Sequence, residues 1–402
     1  MSNYIQFVRS YSPLLFFGLL LTLFSSYGQT FLISLYIPQF EQTFGLSNTG
    51  LSSLYAIATM SSAFSLPWIG RLVDTSPLRR FSILIIVGFA LSLVFLSLAV
   101  HPLMILVGFF GLRFLGQGLM SHTSISTMAR AFENNRGKAI SVAALGHPLG
   151  EAIFPILITL LMGVWGWRWA LRLSASSLLL ILIPLVLILL AKQPKSLLFP
   201  PKLSAEVAKT SRNPLLLFKS KFFWIIAPTV FILGFMNTAI FFFQFKLAVA
   251  RDWSPAWVAG SMAIYAGASA LSLTVAGPLV DRLTARRLFR FILIPYVAGV
   301  LILAFFEHPI SYPAALICIA MANGNGNTIK NALFAEVFGT EIIGTVRSLF
   351  TTVMVFSTAL GPLFFGLLLD GGWSYSTIFT FSAGLLVLIV FWSWRLPTKG
   401  EV

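Results

Sequence analysis

Gly70-Arg-Leu-Val-Asp74-Thr-Ser-Pro-Leu-Arg79-Arg80 returns 207 residues later as Gly277-Pro-Leu-Val-Asp281-Arg-Leu-Thr-Ala-Arg286-Arg287. In both copies a glycine is followed by an aspartate four residues on, then by an arginine pair. Two further places keep that distance to within one residue. Pro155 and Pro362 lie 207 residues apart, and Phe132 and Phe338 lie 206 apart. One offset held at three separated places reads as a duplicated unit.

Each copy sits between long apolar runs. Crossing a bilayer takes roughly 20 apolar residues, and twelve runs qualify: 12–38, 49–70, 80–100, 103–130, 138–164, 169–191, 222–248, 255–280, 287–306, 310–336, 344–369 and 374–395. Of the 402 residues 57% are hydrophobic and 10% charged, against about 25% charged in soluble domains. Too few polar side chains remain to cover a water-facing surface, so the solvent must be lipid. The pattern predicts an all-α integral membrane protein of 12 transmembrane helices, in two six-helix bundles related by pseudo-two-fold symmetry. The bundles are expected at 1–191 and 222–402, joined by a cytoplasmic linker, 192–221, carrying seven Lys or Arg against Glu206. The first run is too long for a signal-peptide core and is expected to remain as a spanning helix.

The net charge of +15 lies in short loops between runs, not along one stripe, which argues for topology and against nucleic acid. With a cytoplasmic N-terminus, 21 of the 27 Lys and Arg fall inside. Four fall outside (Arg168, Arg172, Lys246 and Arg251) and two, Arg113 and Lys330, lie within spans. A multi-pass cell-membrane protein with both termini cytoplasmic is expected. Cys318 is the single cysteine, so no intrachain disulfide can form. The sequence has no metal cluster, Walker loop or nucleophile triad, so neither cofactor nor metal nor enzyme activity is expected. The expected partners are a small-molecule substrate, protons and the bilayer, with the chain acting as a monomer.

The repeated loop, G-x-x-x-D-x-x-x-x-R-R, resembles the signature loop of the major facilitator superfamily. Arg113-Phe-Leu-Gly116-Gln-Gly118 in run four is similar to that superfamily's R-x-x-x-G-x-G motif, shortened by one. Gly146-His-Pro148-Leu-Gly150-Glu151 is similar to its Gly-Pro-rich helix-five motif, and Gly166-Trp167-Arg168 follows. The resemblance covers the whole chain. It implies a secondary active transporter working by alternating access, its halves rocking about a midplane cavity. Phe132-Glu-Asn-Asn-Arg136-Gly137-Lys-Ala, with Pro155 and Gly166-Trp-Arg168, looks like the monocarboxylate-porter branch.

The loop's chemistry suggests a cytoplasmic gate. Gly70 permits close helix approach, and Asp74 can sit among Arg71, Arg79, Arg80 and Arg130, a cluster that releases when the halves rock. The rival reading leaves these arginines as topology anchors. In the second copy Gly277, Asp281, Arg286 and Arg287 recur, but Glu336 stands where the first half has Arg130. A latch there must be wired differently, through Glu336 to Arg286 or Arg287.

Ionisable groups inside spans are costly and point to function. Glu151 and His147 form an i,i+4 pair in run five, where a buried carboxylate beside an imidazole can load and release a proton. Run ten reads Asn323-Gly-Asn325-Gly-Asn327-Thr328-Ile-Lys330-Asn331. Asn323, Asn327 and Lys330 or Asn331 share a face, and an ammonium beside amides suits an anionic, hydrogen-bonding substrate; the alternative is a lysine that snorkels to the interface. Arg113 serves substrate or structure equally well. Gln29 and Tyr27 in run one, and Asn237 and Gln244 in run seven, are placed as cavity lining. His122 reads as a packing residue, and Phe241, Phe242 and Phe243 as lipid-facing. The leading expectation is proton-coupled transport of a small organic anion such as a monocarboxylate. The alternatives are proton-driven efflux of amphipathic compounds and a non-transporting membrane sensor or receptor.

Overall fold

A computed structural model describes residues 2–70, 72, 76–132, 135–191, 193, 214–339 and 342–397, and no strand occurs among them. After a short helix, Ser2–Ser10, come twelve long ones. They are α1 (Ser12–Gly28 continued by Thr30–Phe44), α2 (Asn48–Ile69), α3 (Leu78–Ser97), α4 (Pro102–Ala131), α5 (136–165), α6 (167–191), α7 (Lys221–Ala250), α8 (Pro255–Leu283), α9 (Ala285–Phe305), α10 (Ser311–Phe338), α11 (Ile343–Asp370) and α12 (Tyr375–Ser393). On length and apolarity alone eight of these stretches pass as spans, or nine if the bent α1 counts as one. The shortfall has two causes. Residues 136–191 form one run turned into two helices at Gly166, while α2 and α10 carry many Ser, Thr or Asn residues.

The duplication is visible in the backbone. The starts of α2 and α8 (Asn48, Pro255), of α3 and α9 (Leu78, Ala285) and of α5 and α11 (Arg136, Ile343) are each 207 residues apart. Gly166 and Gly372 both adopt positive φ, +77° and +84°. A tryptophan follows each, and only glycine takes that conformation without strain.

Chain contacts divide the protein into two compact units, residues Met1–Leu46 with Ser53–Leu203, and Ser47–Ser52 with Ser204–Val402. In unit 1, α1 bends by 43° between its two segments. The cause is local: Ser25 and Ser34 hydrogen-bond back to the carbonyls of Thr22 and Phe31, at 2.7 Å each, which loosens and bends a helix. A Cβ on Gly28 would collide with the Leu112 carbonyl of α4. From that point α4 widens into a π-helical stretch, Leu112–Met120, a feature that accompanies functional sites. Phe17, Phe40, Tyr55, Phe89 and Phe109 fill the interior.

Unit 2 packs around α7. Phe241, Phe242 and Phe243, expected to face lipid, are 5%, 0% and 2% exposed. Successive helical residues point about 100° apart, so burial of all three means that α7 is covered on every side there. The outward surfaces instead carry Leu84 and Leu180 in unit 1 and Leu271 and Leu388 in unit 2, each about two-thirds exposed or more. In water such surface would be disfavoured at about 25 cal/mol per Å²; acyl chains accept it.

Ser47–Ser52, the first turn of α2, packs within unit 2. The carboxylate of Asp370, at the end of α11, accepts from the backbone N–H groups of Asn48 (3.1 Å) and Thr49 (2.8 Å) and from the Asn48 amide (2.6 Å). Lys246 Nζ donates to Asn48 Oδ1. A carboxylate at a helix start satisfies N–H groups that have no partner within the helix.

Candidate functional site

In unit 2 the polar residues of α10 are held on an unbroken helix. Gly324 and Gly326 do not interrupt Ser311–Phe338, so Asn323, Asn327 and Lys330 keep the i, i+4, i+7 spacing of one stripe. Asn323 Nδ2 donates to Asn237 Oδ1 of α7 at 2.6 Å and to the Tyr265 hydroxyl of α8 at 3.1 Å. Phe241 packs edge-on against Tyr265, with ring centroids 5.1 Å apart. Asn325 Oδ1 is buried with no hydrogen-bond partner among the described residues. Lys330 is half-buried and eight residues from the end of α10, about 12 Å along the axis. The Asn327 side chain lies outside the described residues.

In unit 1 the polar residues gather at the bend of α1 and the π-helical stretch of α4. Gln29 is the residue at the break, extended (φ −84°, ψ 150°) and half-buried. Arg113 is 6% exposed. Its Nη1 donates to Thr30 Oγ1 at 3.3 Å, Thr30 Oγ1 lies 2.6 Å from the Tyr55 hydroxyl, and the guanidinium stands 5.2 Å from the Tyr55 ring centroid. Among the described residues no carboxylate pairs with it. Gln117 Oε1, in the same stretch, is buried without a hydrogen-bond partner there. His147 and Glu151 lie one turn apart on α5 and are half-buried. Among the described residues neither side chain makes a hydrogen bond or ion pair. Thr22 of α1 hydrogen-bonds the Ala143 carbonyl of α5 one turn before His147, which ties their helix to the bent one.

Each half of the duplicated twelve-helix frame thus holds a polar cluster among its helices, and the chain matches the family described as Major Facilitator Superfamily over residues 19–357 and 262–402. The chain belongs to the major facilitator superfamily. No curated protein matches it. Among solved structures, a point mutant of the nucleoside transporter NupG superposes with a TM-score of 0.78 at 14% identity, covering 96% of this chain and 100% of that one. A bacterial homologue of the human lysosomal transporter Spinster, inward-facing and occupied, superposes with a TM-score of 0.74 at 15% identity, covering 96% of each. At such identities the likeness concerns the fold. This major facilitator protein is therefore a multi-pass secondary transporter that binds a small molecule within the membrane, and not an enzyme.

The remaining expectations divide by residue. Tyr27 and Gln244, placed as cavity lining, are buried and tied within their units: Tyr27 to Ser177 at 3.1 Å, and Gln244 to the Tyr312 hydroxyl at 2.6 Å. His122 is exposed, with Ser126 Oγ 3.5 Å from its Nε2. Of the gate residues, Asp74 lies outside the described residues, as do Arg71 and nearly all of the 192–213 stretch. Gly70 is buried and close to the His122 ring. Arg79 and Arg80 are exposed at the start of α3, and Arg130 is half-buried in the last turn of α4. The second copy is not the loop the first copy predicts. Gly277 and Asp281 lie inside α8, which runs on to Leu283 and stops at Thr284 with φ +65°. Arg287 is exposed, while Arg286 meets Glu336.

The four basic residues that break the charge bias all have partners. Arg168 donates to the Ala99 carbonyl at 2.9 Å, Arg172 to Ser97 Oγ at 3.2 Å, Arg251 to the carbonyls of Leu303 and Phe306, and Lys246 to Asn48. They tie helix ends together. Tyr265, Thr30, Tyr55 and Gln117 were invisible as site residues in the sequence, because single hydroxyls and amides are common in spans and only packing shows which face each other.

Proposed function

We propose that this transporter moves a small organic anion, such as a monocarboxylate, coupled to protons, across the cell membrane with both termini cytoplasmic. The observation that carries the reading is Arg113. A guanidinium buried in a span is costly, and its described neighbours are a neutral hydroxyl and a ring face, which leaves its charge for an anionic substrate. The Lys330 stripe adds a second cation in unit 2. Glu151 supplies the carboxylic acid that carries the proton. A neutral, hydrogen-bonding substrate is the second reading, favoured by the Asn237–Asn323–Tyr265 network; the solved NupG is a nucleoside transporter, a likeness of fold.

The test is uptake into proteoliposomes of labelled monocarboxylates, nucleosides and amphipathic cations, with and without an inwardly directed proton gradient. Gradient-stimulated monocarboxylate uptake that falls at least tenfold in Arg113→Gln supports the proposal. Nucleoside uptake indifferent to Arg113→Gln supports the second reading. Export of the amphipathic cations points to efflux, and binding without flux of any solute points to a receptor.

A further inference from the structure

Away from the polar residues, α7, α11 and α12 enclose a groove of about 550 Å³ within unit 2. Its wall includes Phe223, Trp224, Phe231, Phe235, Phe364 and Leu385, and Ser382 carries the one hydroxyl among its lining residues. From Phe223 to Met236 the groove follows α7 for 13 residues, about 20 Å, somewhat more than the roughly 15 Å of one leaflet's hydrocarbon. A volume of about 550 Å³ over about 20 Å of helix leaves a mean cross-section of roughly 27 Å², far less than a helix about 10 Å across occupies and of the order of one extended hydrocarbon chain.

One end of the groove is chemically different. Trp224 Nε1 donates to the Phe218 carbonyl at 2.8 Å, and Trp392 Nε1 to the Trp224 carbonyl at 3.0 Å. Tryptophans of this kind mark the headgroup level of a bilayer. Lys219 and Lys221 flank this end in sequence, both exposed, and the Arg395 guanidinium lies 4.0 Å from the Trp392 ring centroid. The apolar groove thus has, next to its Phe218–Trp224 end, two exposed lysines in sequence and one arginine reached through Trp392. We infer that this groove is a binding site for an anionic phospholipid, its acyl chain along α7 and its phosphate at Lys219, Lys221 and Arg395.

The probes are phosphatidylglycerol and phosphatidylcholine with identical palmitoyl and oleoyl chains, added to the full chain in mild detergent and read by native mass spectrometry. Wild-type protein is expected to retain phosphatidylglycerol about thirtyfold better or more, as two or three basic residues near a headgroup would give. Lys219→Gln with Lys221→Gln, both surface changes, should bring the two lipids to near parity. Leu385→Trp at the rim, or Ala227→Trp inside, should lower retention of both lipids at unchanged melting temperature. Equal retention by the wild type, or a preference that survives loss of both lysines, overturns the assignment. So does a dimer mass with no lipid, which would give the groove to a second copy of the chain.

Discussion

Glu336 and Arg286 are joined in both directions. Glu336 Oε2 accepts from the Arg286 backbone N–H at 3.3 Å while Oε1 accepts from that of Ala285 at 2.9 Å, and Arg286 Nη2 returns a hydrogen bond to the Glu336 carbonyl at 3.0 Å. The end of α10 therefore caps the start of α9 with a negative charge, where a helix N-terminus favours one. In the first half the corresponding residue is Arg130, which cannot cap. The second-half contact runs through backbone amides, a wiring the arginine pattern alone did not reveal.

Glu336→Ala is accordingly expected to destabilise the protein by about 1–2 kcal/mol, the range for a lost cap. Glu336→Gln should lose less. Thermal unfolding in detergent checks both, and an unchanged melting temperature for Glu336→Ala would remove the capping role.

Asp370 caps α2 in the same way. Asp370→Ala is expected to cost about 1–2 kcal/mol, and Asp370→Asn to recover part of it, because an amide oxygen still accepts but carries no charge. Hydrogen exchange at the amides of Asn48 and Thr49 reads the effect directly; protection there equal to wild type would contradict it.

Glu151 is the proposed proton carrier. Glu151→Gln should abolish accumulation driven by a proton gradient yet spare substrate exchange, which needs no net proton movement. Both assays belong on one reconstituted preparation. Driven uptake at the wild-type rate, with wild-type pH dependence, would return Glu151 to a packing role.

Lys330→Gln should weaken binding of an organic anion about tenfold, the size of a lost charge-assisted hydrogen bond of roughly 1.5 kcal/mol. Neutral analogues should be unaffected. Equilibrium binding to purified protein separates this from a general loss of fold, which would weaken both.

The orientation can be checked in the linker. With Cys318 replaced by serine, Ser211→Cys is expected to react with a membrane-impermeant maleimide only after the cytoplasmic side is opened. Labelling of intact cells would invert the topology derived from the charge bias.

Three properties were legible in the sequence by itself: the membrane as solvent, the duplication and the family. Each is written in local or periodic terms. Apolar length needs no partner to be read, and the Gly-Asp-Arg-Arg loops repeat at one offset. Which face of a helix is buried was decided by tertiary structure. Phe241, Phe242 and Phe243 are as apolar as any lipid-facing residues, and only the helices packed around α7 put them inside. The same holds for Arg113, whose meaning depends on Thr30 and Tyr55 brought to it by the bend in α1, and for Asn323, tied to Asn237 and Tyr265 from 86 and 58 residues away. In lipid, apolarity does not distinguish inside from outside, so the hydrophobic pattern that orients a soluble helix is mute here. Hydrogen bonds and close packing between helices carry that information, and they exist only once the chain has folded.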